Sequence, residues 1–483
     1  MSEDAVISSP LYQKLLQEKE SLQVQFNNLL KLINGSKQER FIPAENPLQQ
    51  SLFYTPPTEA VADVEKVIIE RSKPQKKKDI FIAQGKRLPA HLRREVEEIL
   101  PKEDISNCKR IGEEESEQLH FKPGELYVKV TRRPKFAKAD GEGILIADMP
   151  DRIKGKSILG NSLVAKLITD KYVYHIPFYR QAKQLLELDV NVAVSTMTDS
   201  LAYTCDALLP LYEKVNEIIF KQNYLQADET PHKVLDQDVK GKAHLGYMWV
   251  YRSPQNGLVY FDYRKGRGRE GPQDCLKDYK GYLQTDGYQV YDSFSLNEDI
   301  TLVGCLAHAR RKFFDAQNND RNRATFVLTE IGKLYKIEAT LRETQANTQQ
   351  RYETRQEQSK PIIDSLKAWL DEEALKVLPK SAIGQAMSYT KSRWDKLKHY
   401  LMDGILEIDN NLIENAIRPV ALGRKNYLFA GSHEGARRAA MMYTFFAMCK
   451  VNEINPMQWL EQTLNQLPSF PISRIEDLLP LKK

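Results

Sequence analysis

Two short apolar runs in the middle of this chain each end in an aspartate, and that arrangement constrains the fold more than any other feature of its 483 residues. Tyr224–Ala227 reads as a short strand ending at Asp228, and Tyr282–Thr285 as another ending at Asp286-Gly287. Between them, Gly246–Tyr251 and Leu258–Tyr263 are aromatic and β-branched and flank Pro254-Gln255-Asn256-Gly257, which predicts a hairpin. Gly271–Tyr279 reads as a helix. Leu302–Cys305 reads as a further strand, followed by a basic helix from His308. The order β-β-β-α-β-α-β-α predicts a mixed α/β layer. In open α/β sheets, the carboxyl ends of the strands are where active sites gather.

The flanking sequence changes period. Leu15, Leu22 and Leu29 fall seven apart, with Tyr12, Lys19, Phe26 and Ile33 on the alternate seam and Asn34-Gly35 as a stop. Residues 1–35 are therefore expected to hold either a coiled-coil helix or an amphipathic helix packed on its own chain. Five prolines break periodicity across 36–84, which reads as a linker. From Arg71 to Arg94 nine basic residues, among them Lys76, Lys77 and Lys78, stand against the single acid Asp79. Such a run contacts phosphates or is simply solvated, and the acidic stretch Glu95–Glu117 interrupts any continuous basic surface. Alternation over 118–134 predicts a short strand. Over 151–222, Ile158–Thr169, Pro177–Leu188, Thr196–Leu209 and Leu211–Gln222 read as separate helices. They suit either a helix-turn-helix, with Ser195 capping the helix around Thr198–Tyr203, or a generic helical bundle. Residues 322–402 are helical in pattern. Glu407-Ile408-Asp409-Asn410-Asn411 then predicts a capped helix that stops at Pro419, and Ala436–Lys450 a second.

Composition closes off several classes. Lys plus Arg is 70 and Asp plus Glu is 65, a net charge of +5 that on its own names no partner. No apolar run approaches the ~18 residues of a membrane span. Met1-Ser2-Glu3-Asp4 lacks the basic start of a secretion signal. The five cysteines are scattered, which predicts no disulfide framework and a reducing, cytoplasmic setting.

The chemistry is carried by Asp228, Asp286 and Glu414, the last sharing a helix face with Asn410. Taken singly, an aspartate after a strand is a turn or cap residue. Brought together, three carboxylates repel unless a cation lies between them, and oxygen-only ligands suit Mg²⁺ or Mn²⁺. Two such ions about 4 Å apart activate a water or hydroxyl and stabilise a leaving oxygen, which is the chemistry of phosphodiester cleavage. His308, Arg310, Arg311 and Lys312 begin a helix at the same sheet edge, and Arg418, Arg424 and Lys425 follow Glu414. These are candidate DNA contacts, with a charged surface as the alternative. Cys305 and His308 have a C-x-x-H spacing without a second ligand pair, so no zinc is expected there.

Three blocks carry a family resemblance. They are Ala227-Asp228-Glu229-Thr230-Pro231 with Gly246-Tyr247-Met248-Trp249-Val250-Tyr251; Gly281-Tyr282-Leu283-Gln284-Thr285-Asp286-Gly287-Tyr288; and Glu407-Ile408-Asp409-Asn410-Asn411-Leu412-Ile413-Glu414-Asn415-Ala416-Ile417-Arg418-Pro419, which runs on through Arg424-Lys425-Asn426 to Ser432. They resemble the transposases of bacterial insertion sequence 66, from about residue 85 to the Leu478-Leu479-Pro480 tail. The resemblance implies a multidomain α+β chain. Its ribonuclease-H-like catalytic core would span 223–321 and 404–450, interrupted by a helical insertion at 322–403 and followed by a tail, 451–483. Asp228, Asp286 and Glu414 match the Asp-Asp-Glu triad, and two Mg²⁺ or Mn²⁺ ions are the implied cofactors. The implied activity is hydrolysis at the element's ends, followed by joining of the 3′-hydroxyls to target DNA with no covalent protein intermediate. The implied partners are DNA, a second copy of the chain and small companion proteins of the same element, in a nucleoid-associated setting. Family members carry a small zinc module with paired cysteines. Here the flanking text survives in 85–150, but Cys108 is the only cysteine there, and one thiol cannot close a tetrahedral site. That region is expected to keep a DNA-end-binding role without zinc. The alternatives are a domesticated or inactive DNA-binding copy, and a nuclease that cuts without joining.

Overall fold

The computed structural model describes residues 157–235 and 243–482, together with Gly124, Leu126, Ile153 and the backbone of two short strands, Lys135–Ala137 and Ile144–Ile146. The helix expected over 11–33, the linker with Lys76, Lys77 and Lys78, the strand expected over 118–134 and nearly all of 85–150 lie outside the described residues. The chain divides into two compact units, one of them 54–149. In that unit the two short strands pair antiparallel, with Phe136 opposite Leu145.

The other unit is built on five strands: β1 (Tyr224–Leu235), β2 (Ala243–Ser253), β3 (Leu258–Arg264), β4 (Gly281–Gln284) and β5 (Ile300–Val303). Their order in the sheet is β3-β2-β1-β4-β5. β2 pairs antiparallel with both β1 and β3, whereas β1 pairs with β4, and β4 with β5, in parallel. The β2–β3 hairpin turns at Gly257, whose φ of +65° lies in the left-handed region that glycine enters without penalty.

β1 differs from the expected short strand, because it continues through Asp228 to Leu235. Its antiparallel partner is long: Gln226 to Leu235 pair residue by residue with Arg252 to Ala243. Its parallel partner covers only Tyr224 to Gln226. Asp228 is therefore in mid-strand, yet just past the last parallel pair, Gln226 opposite Gln284. Beyond that point the β4 side of β1 is an edge, where a proline such as Pro231 is tolerated. Ala430 closes the far end of this edge, accepting from Leu235 N at 2.8 Å and donating to Lys233 O at 2.9 Å. The crossover from β4 to β5 is a short 3-10 run, Gln289–Leu296, in place of the expected α-helix.

Before the sheet come α1 (Asn161–Tyr172), α2 (Phe178–Leu186) and α3 (Val194–Ile219). α3 is one helix through Pro210, where a break was expected. The missing N–H costs about 3 kcal/mol. Leu208, Leu211, Val215 and Ile219 are fully buried, and each such side chain contributes about 1.5–3 kcal/mol, so tertiary burial outweighs the local break. Ser195 is not the cap: the extended backbone of Ala193 turns the chain into the helix earlier, and no side chain caps it.

After β3 come α4 (Glu270–Leu276), α5 (Leu306–Asp315), α6 (Arg321–Glu343), α7 (Thr348–Thr354), α8 (Lys360–Glu373), α9 (Ala382–Ser392) and α10 (Trp394–Lys398). A π turn, Arg355–Ser359, joins α7 to α8. Ala324, Val327, Ile331 and Leu334 of α6 and Ile363, Leu366 and Leu370 of α8, each set at the spacing of an apolar helical stripe, belong to a second core, which also takes in Tyr224 of β1, Val303 of β5 and Phe313 of α5. The chain closes with α11 (Asn411–Tyr427), α12 (His433–Val451) and α13 (Pro456–Gln466). α11 carries through Pro419 rather than stopping there, because Val420 and Gly423 beyond it continue the buried face of Ile413 and Ile417. α12 is buried from Ala439 to Cys449 and lies on β3, where Thr444 Oγ1 accepts from Phe261 N at 2.9 Å. No helix among the described residues is long and apolar enough to cross a membrane. Cys205, Cys275, Cys305 and Cys449 are free thiols.

Candidate active site

The three carboxylates arrive from β1, from the turn after β4 and from the first turn of α11. Asp228 Oδ1 accepts from the backbone N–H of Glu229 at 2.7 Å. Asp286 Oδ1 accepts from the backbone N–H of Tyr288 at 2.8 Å, so the turn that the Asp-Gly pair forms also fixes the carboxylate. Gly287 in that turn has a φ of +90°, and a Cβ there would meet Arg393 Nε at 2.6 Å. Arg393 donates to Gly287 O at 3.1 Å and Tyr389 Oη donates to Asp286 O at 3.1 Å, so helices from outside the sheet clamp this turn.

The three acids share one electrostatic neighbourhood. Burial, then the charge of Asp286, with Glu229 and Glu414 adding to it, push the Asp228 carboxyl well above the ordinary aspartate range. Glu414 is also raised, by burial first; Asp409 and Asp286 add to this while Arg311 and Arg418 oppose it. His308 Nε2 is 3.9 Å from Glu414 Oε1. Burial lowers the His308 pKa, with Asp286 opposing, so the imidazole is neutral at pH 7 and its buried Nδ1 has no protein partner.

A metal would find oxygen donors here. Three carboxylates, with Asp228 pushed up by burial and by the neighbouring acids, have the chemistry that a hard divalent cation requires. Among the described residues, no three His, Cys, Asp or Glu side chains converge closely enough to hold a single ion.

The sequence reading missed the residues that position these acids. Tyr224, Gln226 and Gln284 form a buried polar knot across the parallel strands. Gln284 Oε1 accepts from Tyr224 Oη at 2.5 Å and from Gln226 Nε2 at 2.8 Å. Gln226 Nε2 also donates to Asp409 O at 3.0 Å, and its Oε1 accepts from Ile413 N at 3.2 Å. Gln284 Nε2 reaches Gly304 O at 3.1 Å and Glu407 O at 2.8 Å. The start of the Glu414 helix is thereby pinned to the strands that carry the aspartates. On its other side, Tyr335 Oη donates to Asp409 Oδ2 at 2.8 Å, and Arg342 and Arg351 pair with Glu407 at 2.9 and 3.0 Å. Asp409 Oδ1 accepts from Asn411 N at 3.0 Å, while the Asn410 side chain at the expected cap makes no capping bond.

Arg267 joins the two aspartate segments. It donates to Glu229 Oε1 from Nε at 2.9 Å and from Nη2 at 2.5 Å, and its guanidinium lies 4.0 Å from the Tyr288 ring centroid. Glu229 and Tyr288 are the two residues whose backbone N–H groups hold Asp228 and Asp286. The alternating apolar pattern carries no signal for these pairs, since each links segments far apart in sequence.

The candidate DNA contacts separate into groups. His308 and Arg311 of α5, and Arg418 of α11, lie in the field of Glu414 or beside it. Arg310 is half-buried, and Lys312 is exposed with its ammonium 5.6 Å from the Tyr389 ring centroid. Arg424 lies towards the other end of α11, donating to Pro231 O, with Lys425 exposed beside it. Lys76, Lys77 and Lys78 lie outside the described residues.

Comparison with known proteins agrees with these blocks. A family described as "Transposase IS66 family" matches residues 156–438, and one described as "IS66 C-terminal element" matches residues 444–481. Three proteins of Sinorhizobium fredii (strain NBRC 101917 / NGR234) are similar over most of their length. "Uncharacterized protein y4qI" is 32% identical, covering 92% of this chain and 86% of the relative. "Uncharacterized protein y4hP" is 32% identical over 78% and 71%, and "Uncharacterized protein y4jD" is 30% identical over 81% of each. With the family match covering more than half of the sequence, the chain belongs to the IS66 transposase family.

Proposed function

We propose that this protein cleaves the ends of an insertion sequence and joins the freed 3′-hydroxyls to target DNA, with Asp228, Asp286 and Glu414 as the catalytic carboxylates. The observation that carries this reading is the half-buried Asp228 carboxyl in mid-strand, driven up by lost hydration and by the charges of Asp286, Glu229 and Glu414. Like charges gathered at the end of a parallel ladder are costly to keep without a function. The sheet order, with three antiparallel strands followed by two parallel ones, supports a ribonuclease-H-like core over 223–321 and 404–450 with α6–α10 as its helical insertion. Divalent ions held by the three carboxylates, Mg²⁺ or Mn²⁺, would supply the activation of the attacking oxygen and the stabilisation of the leaving one.

The chain's own residues have separate tasks. Backbone N–H groups of Glu229 and Tyr288 orient the two aspartates. His308, neutral and 3.9 Å from Glu414, is available to hydrogen-bond a phosphate oxygen or an attacking water. Arg311 and Arg418 offset the charge of Glu414 and of an approaching DNA backbone. The N-terminal segments 1–35, 36–84 and 85–150, with the helices of 151–222, are assigned to pairing of two copies and to DNA-end recognition, in a nucleoid-bound complex that includes the element's companion proteins.

The test is a cleavage and joining assay with purified chain, a labelled duplex carrying the element's end, and Mg²⁺ or Mn²⁺. Nicked and joined products are expected, with both lost in Asp228→Asn, Asp286→Asn and Glu414→Gln while DNA binding persists. Cleavage that survives all three substitutions would overturn the assignment. Cutting without a joined product would make the protein a nuclease. Binding without cutting, even with the companion proteins added, would make it a non-enzymatic end-binding protein.

A further inference from the structure

We propose that Lys171, His232 and Arg424 form a second, separate phosphate-binding site, and that its occupant is a backbone phosphodiester of the DNA held at the carboxylates. This rests on the proposed action on DNA.

Three elements bring the residues together. His232 lies on β1 four residues beyond Asp228, at the same phase of the strand's alternation as Asp228 and Thr230. Arg424 of α11 donates from Nη1 to Pro231 O, the residue before His232. Lys171 of α1 places its ammonium 4.8 Å from the ring centroid of Tyr427, one turn on from Arg424 on α11, and 4.7 Å from that of Phe178. His232 is only 2% exposed, and its Nδ1 is buried with no hydrogen-bond partner.

The charges are one-sided. No carboxylate among the described residues forms an ion pair with Lys171 or Arg424; the neighbouring acid Asp170 is taken by Lys166. Burial pushes the Lys171 ammonium down to about 8. Burial, then Arg424 and Lys171, push His232 down to about 4. Burial also lowers Arg424. Two cations whose charges both act on one buried imidazole, each group held against its charged form, are the complement of an anion. A phosphate would give the ammonium, the guanidinium and a neutral imidazole N–H a shared acceptor.

Geometry favours DNA over a free phosphate as the source. Four residues of extended strand separate His232 from Asp228, about 13 Å, which is the axial length of about four base pairs. The β1 edge between them has no strand neighbour on the β4 side. A backbone passing the carboxylates along this edge would present a phosphate at the second site.

The experiment measures binding of the full chain to a labelled duplex, without divalent ions, between about 50 and 200 mM salt. Lys171→Met keeps the side-chain stem against its aromatic rings, and Arg424→Gln removes the second charge. Each is expected to weaken binding several-fold for any sequence and to lower the slope of log affinity against log salt by about one. Lys171→Arg is expected to retain most of the affinity, and melting temperatures identify any variant that fails to fold. Unchanged affinity and slope in both folded charge-removing variants would overturn the proposal. So would stabilisation by inorganic phosphate that Lys171→Met abolishes while the DNA slope stays unchanged, since the site would then serve a free anion. Because no cleavage is scored, a wild-type chain that binds DNA but never cuts it would refute the catalytic reading and leave this one standing.

Discussion

Replacing Arg355 by methionine tests how the helices of 321–401 are held to the Glu414 segment. Arg355 and Glu338 are both fully buried, and their pairing is two-pronged: Nε to Oε1 at 2.7 Å and Nη2 to Oε2 at 2.8 Å. The same guanidinium donates to Tyr400 O at 3.2 Å, Asp403 O at 2.9 Å and Leu406 O at 2.8 Å. Tyr400 lies in the 3-10 turn His399–Leu401, and Asp403 and Leu406 in the irregular segment that leads into Glu407 and Asp409. Removing the arginine leaves the Glu338 carboxylate buried with only the longer contact to Arg351 Nη2 at 3.6 Å, a loss of about 3–5 kcal/mol. The three carbonyls lose a donor as well, at about 1 kcal/mol each where water does not replace it. The expected destabilisation is therefore about 3–8 kcal/mol. Glu338→Leu with Arg355→Met removes both charges and is expected to recover at least about 2 kcal/mol of that. Urea unfolding followed by tryptophan fluorescence reads this, because Trp369 and Trp394 lie in these helices, and hydrogen exchange over 321–406 localises the change. A loss below about 1 kcal/mol in Arg355→Met, or a double variant no better than the single one, would refute the buried pair as the anchor.

Three further outcomes follow from the site. The folded-state pKa of Asp228 lies above its unfolded value, so its ionised form opposes folding above the ordinary aspartate range and not below it. Asp228→Asn should therefore raise the melting temperature at pH 7 in the absence of divalent ions, a gain that fades as the pH falls below about 4; equal melting at pH 7 would contradict this. Gln284→Leu should cost about 1–3 kcal/mol in chemical unfolding and reduce cleavage, since Glu407 O and Gly304 O lose their donor. Arg267→Ala should lower the turnover of cleavage about tenfold or more with DNA affinity retained, and Arg267→Lys should restore part of it; loss of affinity in place of turnover would remove Arg267 from its positioning role.

Much of this protein was readable one segment at a time. The β2–β3 hairpin is found where aromatic and β-branched runs flank Asn256-Gly257, because strand alternation and turn chemistry are local properties. The Asp286 turn and the helix bearing Glu414 were legible for the same reason. Local rules misled at Pro210 and Pro419. A missing N–H penalises a helix wherever it stands, and only the burial of the residues beyond it decides whether the helix continues. The extent of β1 was hidden because it depends on how far β2 runs beside it, not on its own residues.

The sequence by itself determined the type of most strands and helices and the identity of the family, and it singled out the three acids proposed as catalytic. Tertiary structure alone decided how the acids are held: the knot of Tyr224, Gln226 and Gln284, the Arg267 bridge, and the buried Glu338–Arg355 pair. Gln226 and Ile413 are 187 residues apart, and nothing in the neighbourhood of either encodes the other. Such a bond forms only once parallel register has placed Gln226 beside Gln284 and burial has excluded the water that would otherwise satisfy both.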